Sequence, residues 1–216
     1  MAQPSLAAQA AGKRIGIIGG TFDPVHYAHL AIAEEVYSAL KLARMIFVPA
    51  GQPPHKMEER ITPVHQRLAM LELALASNSH FALSLVDVQR TGPSYTVDTL
   101  RLLHQELGPR TELYFVIGGD SLEDLPSWHE PAGVLAQATI VALMRPGFKE
   151  VSGYHEQLEA RLPGIRQRLI ILDGPRMDIS STDLRQRVAE SRPIRYQTPE
   201  AVEDYIRRHG LYRDTR

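Results

Sequence analysis

Residues 15–30 read I-G-I-I-G-G-T-F-D-P-V-H-Y-A-H-L, and this stretch decides the fold. An apolar run with the character of a buried strand meets two glycines, Gly19 and Gly20. A short polar turn follows, and then two histidines, His26 and His29, at the start of a helical pattern. Strand, glycine turn and helix N-terminus in that order make an anion cradle. Glycines let the backbone approach a phosphate, and the helix end presents unpaired N–H groups and partial positive charge. The histidines add side-chain donors at the same place, because residues three apart share a helix face. That combination points to chemistry on a nucleotide phosphate. The turn lacks the Gly-Lys-Ser/Thr ending of a Walker A loop and the G-x-G-x-x-G spacing of a dinucleotide fold.

Working outward, strand-like and helix-like segments alternate. Residues 14–19 and 45–49 (M-I-F-V-P) read as buried strands, separated by helical spacing over 26–42 through Leu30, Ala33, Tyr37 and Leu40. Thr62-Pro63 is expected to cap a helix running to about 77, and Ser94 to cap another ending near 107. Residues 81–88 alternate like a strand, and 113–117, 139–144 and 169–172 complete the strand set. Helices are expected over 131–136, 181–191 and 199–209, while 147–162 is the least patterned part. This order predicts an α/β fold of Rossmann-like, doubly wound type, with a mostly parallel sheet and helices on both faces. Ligands bind such sheets beyond the carboxyl ends of the strands. Gly19-Gly20, residues 49–56, residues 118–120 and Arg145-Pro146 all leave strands on that edge. Residues 1–12 read as a disordered tail and 13–216 as one domain.

Composition excludes several classes. Lys plus Arg is 24 against 25 for Asp plus Glu, so no net charge advertises a nucleic acid or an anionic membrane. With no cysteine there are no disulfides, thiolate nucleophiles or cysteine zinc sites. No apolar run approaches the ~20 residues that span a bilayer, and the N-terminus lacks the basic and apolar regions of a signal peptide. The expected location is the cytoplasm. Oligomeric state stays open.

A second stretch, residues 179–185, reads I-S-S-T-D-L-R. Its hydroxyls and Arg185 suit phosphate oxygens, although such a string is also an ordinary capped helix start. His26 and His29 are compatible with a metal pair, but no neighbouring carboxylate or cysteine completes a ligand set. His65, His80, His104 and His129 lie in no motif and are read as structural.

Together, G-G-T-F-D-P-V-H-Y-A-H and I-S-S-T-D-L-R resemble the two signatures of the nucleotidylyltransferase superfamily. Residues 51–56 (G-Q-P-P-H-K), 94–100 (S-Y-T-V-D-T-L), 117–128 (I-G-G-D-S-L-E-D-L-P-S-W) and 205–212 (Y-I-R-R-H-G-L-Y) narrow the resemblance to the bacterial nicotinate-nucleotide adenylyltransferases. The resemblance spans nearly the whole chain after the tail. It implies transfer of AMP from ATP to nicotinate mononucleotide by in-line attack at the α-phosphorus, with Mg²⁺ held by the ATP phosphates and not by protein side chains. It places Gly19, Gly20, Thr21, Phe22 and Gly118 as backbone walls to the nucleotides. His26 and His29 would act on the ATP phosphates, and Ile179, Ser180, Ser181, Thr182 and Arg185 would hold the triphosphate, with Arg185 also catalytic and Arg145 assisting. The acceptor mononucleotide would meet Thr21, His55, Lys56, the Tyr95-Thr96 backbone, Asp120 through its ribose, and Trp128 stacked on the pyridine ring. Two positions depart from the pattern: Ala28 stands where the family usually has glycine, and Asp183 must point away from the triphosphate. The competing readings are the same chemistry on nicotinamide mononucleotide or another phosphorylated acceptor, and a nucleotide sensor without turnover.

Overall fold

A computed structural model describes residues 10, 12–53, 61–144 and 154–213. Among the described residues, six strands form one sheet: β1 (Arg14–Gly20), β2 (Arg44–Pro49), β3 (Phe81–Leu83), β4 (Glu112–Gly118), β5 (Ala138–Met144) and β6 (Leu169–Asp173). Their spatial order is β3-β2-β1-β4-β5-β6 and every pairing is parallel. Chain order reverses between β1 and β4, so a crevice opens at their carboxyl ends, where Gly19-Gly20 and Gly118 lie.

The strands are apolar on both faces, and each face has its own helices. Ile15, Ile17, Ile46, Val48, Phe115 and Ile117 point into one core, covered by α3 (Thr96–Leu107), α5 (Pro131–Gln137) and α6 (Tyr154–Arg161). Their neighbours in sequence, Ile18, Met45, Phe47, Tyr114 and Val116, point into the other. That second core lies under α1 (Tyr27–Ala39), α2 (Val64–Leu75), α7 (Ser181–Ala189) and α8 (Glu200–His209). The strict two-residue alternation of strand side chains is what splits one sheet's residues between two cores. A short helix, α4 (Gly119–Asp124), follows β4 directly.

Several expected boundaries move. The strand foreseen over 81–88 stops at Leu83, because Ser84 and Asp87 are buried and bonded to side chains from α3. Thr62 does not cap α2: Pro63 holds the cap position, and the Thr62 N–H goes to Asp23 Oδ2 at 3.0 Å. Ser94 does not cap α3 either, since Tyr95 holds that position and Ser94 Oγ accepts from Gln52 N–H. Within the expected tail, Ala10 is fully buried and its carbonyl accepts from Thr111 Oγ1 at 3.3 Å. In the weakly patterned 147–162, Tyr154–Arg161 is helical.

Candidate active site

β1 delivers the chain to the G-G-T-F-D-P turn, where close approach favours glycine at position 20. A Cβ there would lie 3.1–3.4 Å from the Phe22 ring, which is buried beneath it with a φ of 50°. Phe22 therefore offers only backbone to a ligand, and its ring props the turn from below. His26 caps α1 with extended backbone, and its N–H donates to His29 Nδ1 at 3.3 Å. The two rings stack with centroids 3.7 Å apart, and Phe22 meets His29 edge-on at 5.1 Å. Burial drops the His26 pKa to about 4. His29 is also held well below its ordinary value, first by burial and then by the neighbouring His26. Both rings are thus neutral near pH 7. Because His29 Nδ1 accepts, its proton sits on Nε2, leaving a donor for a phosphate oxygen. His26 Nδ1 is buried without a partner.

The I-S-S-T-D-L-R stretch docks on the same turn. Ser180 Oγ accepts from Asp183 N–H at 3.1 Å, the cap that starts α7. Ser181 Oγ donates to the Pro24 carbonyl at 2.8 Å, and Arg185 Nη1 donates to the Asp23 carbonyl at 2.9 Å. Arg185 Nη2 lies 3.4 Å from Thr182 Oγ1. These bonds join two motifs more than 150 residues apart in the chain. Ile179 packs at the edge of the second core. The Asp183 carboxylate turns along the helix to Arg187 at 2.7 Å, away from the turn. Ala28 is buried at the start of α1.

A cavity of about 800 Å³ opens beside the histidines at the switch point. Gly19, Gly20, His29, Tyr95, Thr96, Gly118 and Trp128 all line it. Trp128 is half-buried, edge-on to Phe115 at 6.3 Å, and Tyr95 stacks on His129 at 4.3 Å. The start of α3 is open toward this space. No side chain caps it, Asp98 and Thr99 N–H fold back to the Tyr95 carbonyl, and Tyr95 N–H is held by Pro93. Among the described residues, the N–H groups of Thr96 and Val97 then have no acceptor. Unpaired N–H groups at a helix start carry partial positive charge and suit an anionic acceptor.

Asp120 is exposed on the first turn of α4, between Gly118 and Ser121 of the cavity wall. The buried carboxylate on the wall is Asp87, which the motif reading passed over. His55, Lys56 and Arg145 lie outside the described residues. Behind the turn sits a polar network that motif reading also missed. Arg67, 2% exposed, donates to the carbonyls of Thr21 (2.7 Å), Ala50 (2.9 Å) and Thr62 (3.0 Å). The Asp23 carboxylate accepts from Tyr212 Oη at 2.6 Å, and burial pushes that phenol's pKa up. A signal for both residues exists in the sequence. Arg67 sits on the apolar stripe with Met70, Leu71 and Ala74, and Asp87 shares the parity of Phe81 and Leu83. A charge on a buried face demands partners. Among the described residues no three His, Cys, Asp or Glu side chains gather to hold a metal, and no helix is long and apolar enough to cross a membrane.

Residues 17–187 match the cytidylyltransferase-like family model. A protein of Thermomicrobium roseum, named "Probable nicotinate-nucleotide adenylyltransferase", is 53% identical over 201 residues, which cover 93% of this chain and 92% of that one. A protein of the same name from Roseiflexus sp. RS-1 is 52% identical over 199 residues, covering 92% and 98%. The solved structure of Plasmodium falciparum nicotinic acid mononucleotide adenylyltransferase complexed with NaAD shares the fold at a TM-score of 0.73. It is 22% identical to this chain and the match covers 93% and 97% of the two.

Proposed function

Since the chain belongs to the cytidylyltransferase-like family, we propose that it is the nicotinate-nucleotide adenylyltransferase its relatives are named for. It moves AMP from ATP to nicotinate mononucleotide, releasing pyrophosphate and deamido-NAD in NAD biosynthesis. The observation that carries the acceptor is the uncapped start of α3 on the cavity wall. Two backbone N–H groups there suit a carboxylate, which only accepts hydrogen bonds. A carboxamide sets its own N–H₂ against one of them or leaves one unmet. Trp128 and Tyr95 supply flat apolar walls for a pyridine ring in the same cavity.

The acceptor's 5′-phosphate oxygen is already an anion at neutral pH, so the reaction needs alignment and charge stabilisation more than a base. In this reading His29 donates from Nε2 to a non-bridging oxygen of the α-phosphate as charge builds in the pentacovalent transition state. His26 stands beside it. Gly19, Gly20, Thr21, Phe22 and Gly118 give backbone close to the nucleotides. Ser180, Ser181, Thr182 and Arg185 set the α7 end of the triphosphate site, with Ile179 beneath them. Arg185 favours the departing pyrophosphate while holding the Asp23 carbonyl. Arg145 on the ATP side, His55 and Lys56 at the acceptor phosphate, and Asp120 at the acceptor ribose complete the proposed set. Mg²⁺ carried by the ATP phosphates would neutralise part of their charge, and no described side chain is assigned to hold it. The enzyme works in the cytosol on this reading.

The test is pyrophosphate release from ATP and Mg²⁺ with nicotinate or nicotinamide mononucleotide as acceptor. A strong preference for the acid is the expected result. Preference for the amide overturns the acceptor, and no turnover with either favours a nucleotide sensor.

A further inference from the structure

Among the described residues, Asp87 is the one on the cavity wall that is both buried and a carboxylate, with 4% exposure, and the chemistry above gives it no part. Its two oxygens lie 2.8 and 2.9 Å from Thr99 Oγ1. Arg90 Nε donates to the same carboxylate at 2.9 Å, so its charge is balanced inside the protein. Thr99 stands one helical turn beyond Tyr95, and its hydroxyl also lies 3.1 Å from the Tyr95 carbonyl. A hydroxyl has one proton to give, and the anionic acceptor draws it most strongly. Asp87 therefore fixes the Thr99 rotamer and, through it, the first turn of α3.

The other side of that turn is tied as well. Ser94 N–H donates to the Gln52 carbonyl at 2.8 Å, and Gln52 N–H donates to Ser94 Oγ at 3.2 Å. A Cβ at Gly51 would lie 2.4 Å from the Asp87 carbonyl oxygen, so only glycine lets the two segments close up. The start of α3 is held between these two anchors.

We propose that Asp87 is a specificity-determining positioning residue, which by holding Thr99 aims the first-turn N–H groups of α3 so that a carboxylate acceptor is taken and a carboxamide refused. The inference rests on the acceptor reading above. Refusal of the amide depends on donors that cannot move: a fixed N–H facing an N–H₂ is left unmet, whereas a turn free to rotate finds the amide oxygen instead. Loosening the anchor therefore harms the acid and spares the amide. A residue that only supported packing would lower both alike.

The experiment compares kcat/KM for nicotinate and nicotinamide mononucleotides in the wild type, Thr99→Val, Thr99→Ser, Asp87→Ala and the Asp87→Ala/Thr99→Val double variant, with Tm measured for each. Thr99→Val keeps the shape of the side chain and removes the hydroxyl, so it carries the test if Asp87→Ala does not fold. The acid-to-amide ratio is expected to fall about tenfold or more in Thr99→Val, through KM for the acid, with KM for ATP unchanged. Thr99→Ser, which keeps the hydroxyl, retains most of the preference. The double variant falls no further than the worse single one, because both changes cut the same link. An undiminished ratio in folded Thr99→Val overturns the proposal, as does an equal loss with both acceptors. A wild type with no preference for the acid overturns the acceptor reading itself, and the proposal with it.

Discussion

His26 and His29 stack face to face, and burial keeps both rings neutral near pH 7. For His29 the useful consequence is an Nε2–H donor with its direction set by the bond from His26 N–H to Nδ1. His29→Ala is expected to lower kcat by ~10²–10³, the scale for losing one donor that acts in the transition state. Steady-state pyrophosphate release measures this, and a near-wild-type kcat removes His29 from the role. His26 makes a separate prediction about stability. Its folded pKa, about 4, lies below the ordinary 6.5, so the unfolded chain binds the proton first. The stability linked to its neutral state is fully present above pH 6.5 and is lost as pH falls toward 4. The Tm of the wild type should drop through that window, and His26→Gln should flatten the drop. Parallel thermal melts of the two proteins decide it.

Among the elements, the largest burden falls on the contacts behind the phosphate turn. Arg67 of α2 ties the turn after β1 to the exit of β2 and to Thr62 at the start of its own helix. Three backbone carbonyls lose their donor if the guanidinium is removed, and each such bond to a charged group is worth about 1.5–3 kcal/mol. Arg67→Met is expected to cost at least about 3 kcal/mol in urea unfolding, well above the effect of an apolar change of similar size. Arg67→Lys should recover only part of this, because one ammonium cannot reach three carbonyls in a fork's geometry. The α7 contacts work the same way: Ser181 and Arg185 grip the carbonyls of Pro24 and Asp23, so the second phosphate motif is also a brace for the first.

Taken as a whole, the molecule is one sheet with a separate core on each face. Leu100 of α3 is fully buried in one core and Leu71 of α2 in the other. Both cores rest on the same strands, whose residues alternate between them. Leu100→Ala and Leu71→Ala should each cost ~2–5 kcal/mol, the range for emptying a buried leucine site. Both should shift a single transition seen alike by circular dichroism and by the fluorescence of Trp128. Two separated transitions would show that the faces melt independently.

The doubly wound fold is legible in the sequence. Continuous apolar strands, alternation with amphipathic helices, and glycine exits are local properties of the chain, and each is set by neighbouring residues. The phosphate turn was legible for the same reason, since a strand, two glycines and a capped helix lie within sixteen residues. Less local features were not. Residues 84–88 alternate like a strand, yet Asp87 pulls away to meet Thr99, and nothing near it in sequence announces that partner. Ser181 looked like a phosphate ligand by motif, and its bond to Pro24 reaches across 157 positions. By itself, then, the sequence determined the sheet, the layers of helices and the position of the phosphate cradle, because short-range periodicity and backbone geometry suffice for these. Only the tertiary structure decided which buried charges pair, how the two phosphate motifs interlock, and that the start of α3 stands uncapped toward the cavity. Those depend on contacts between segments that only the closed fold brings within hydrogen-bond reach.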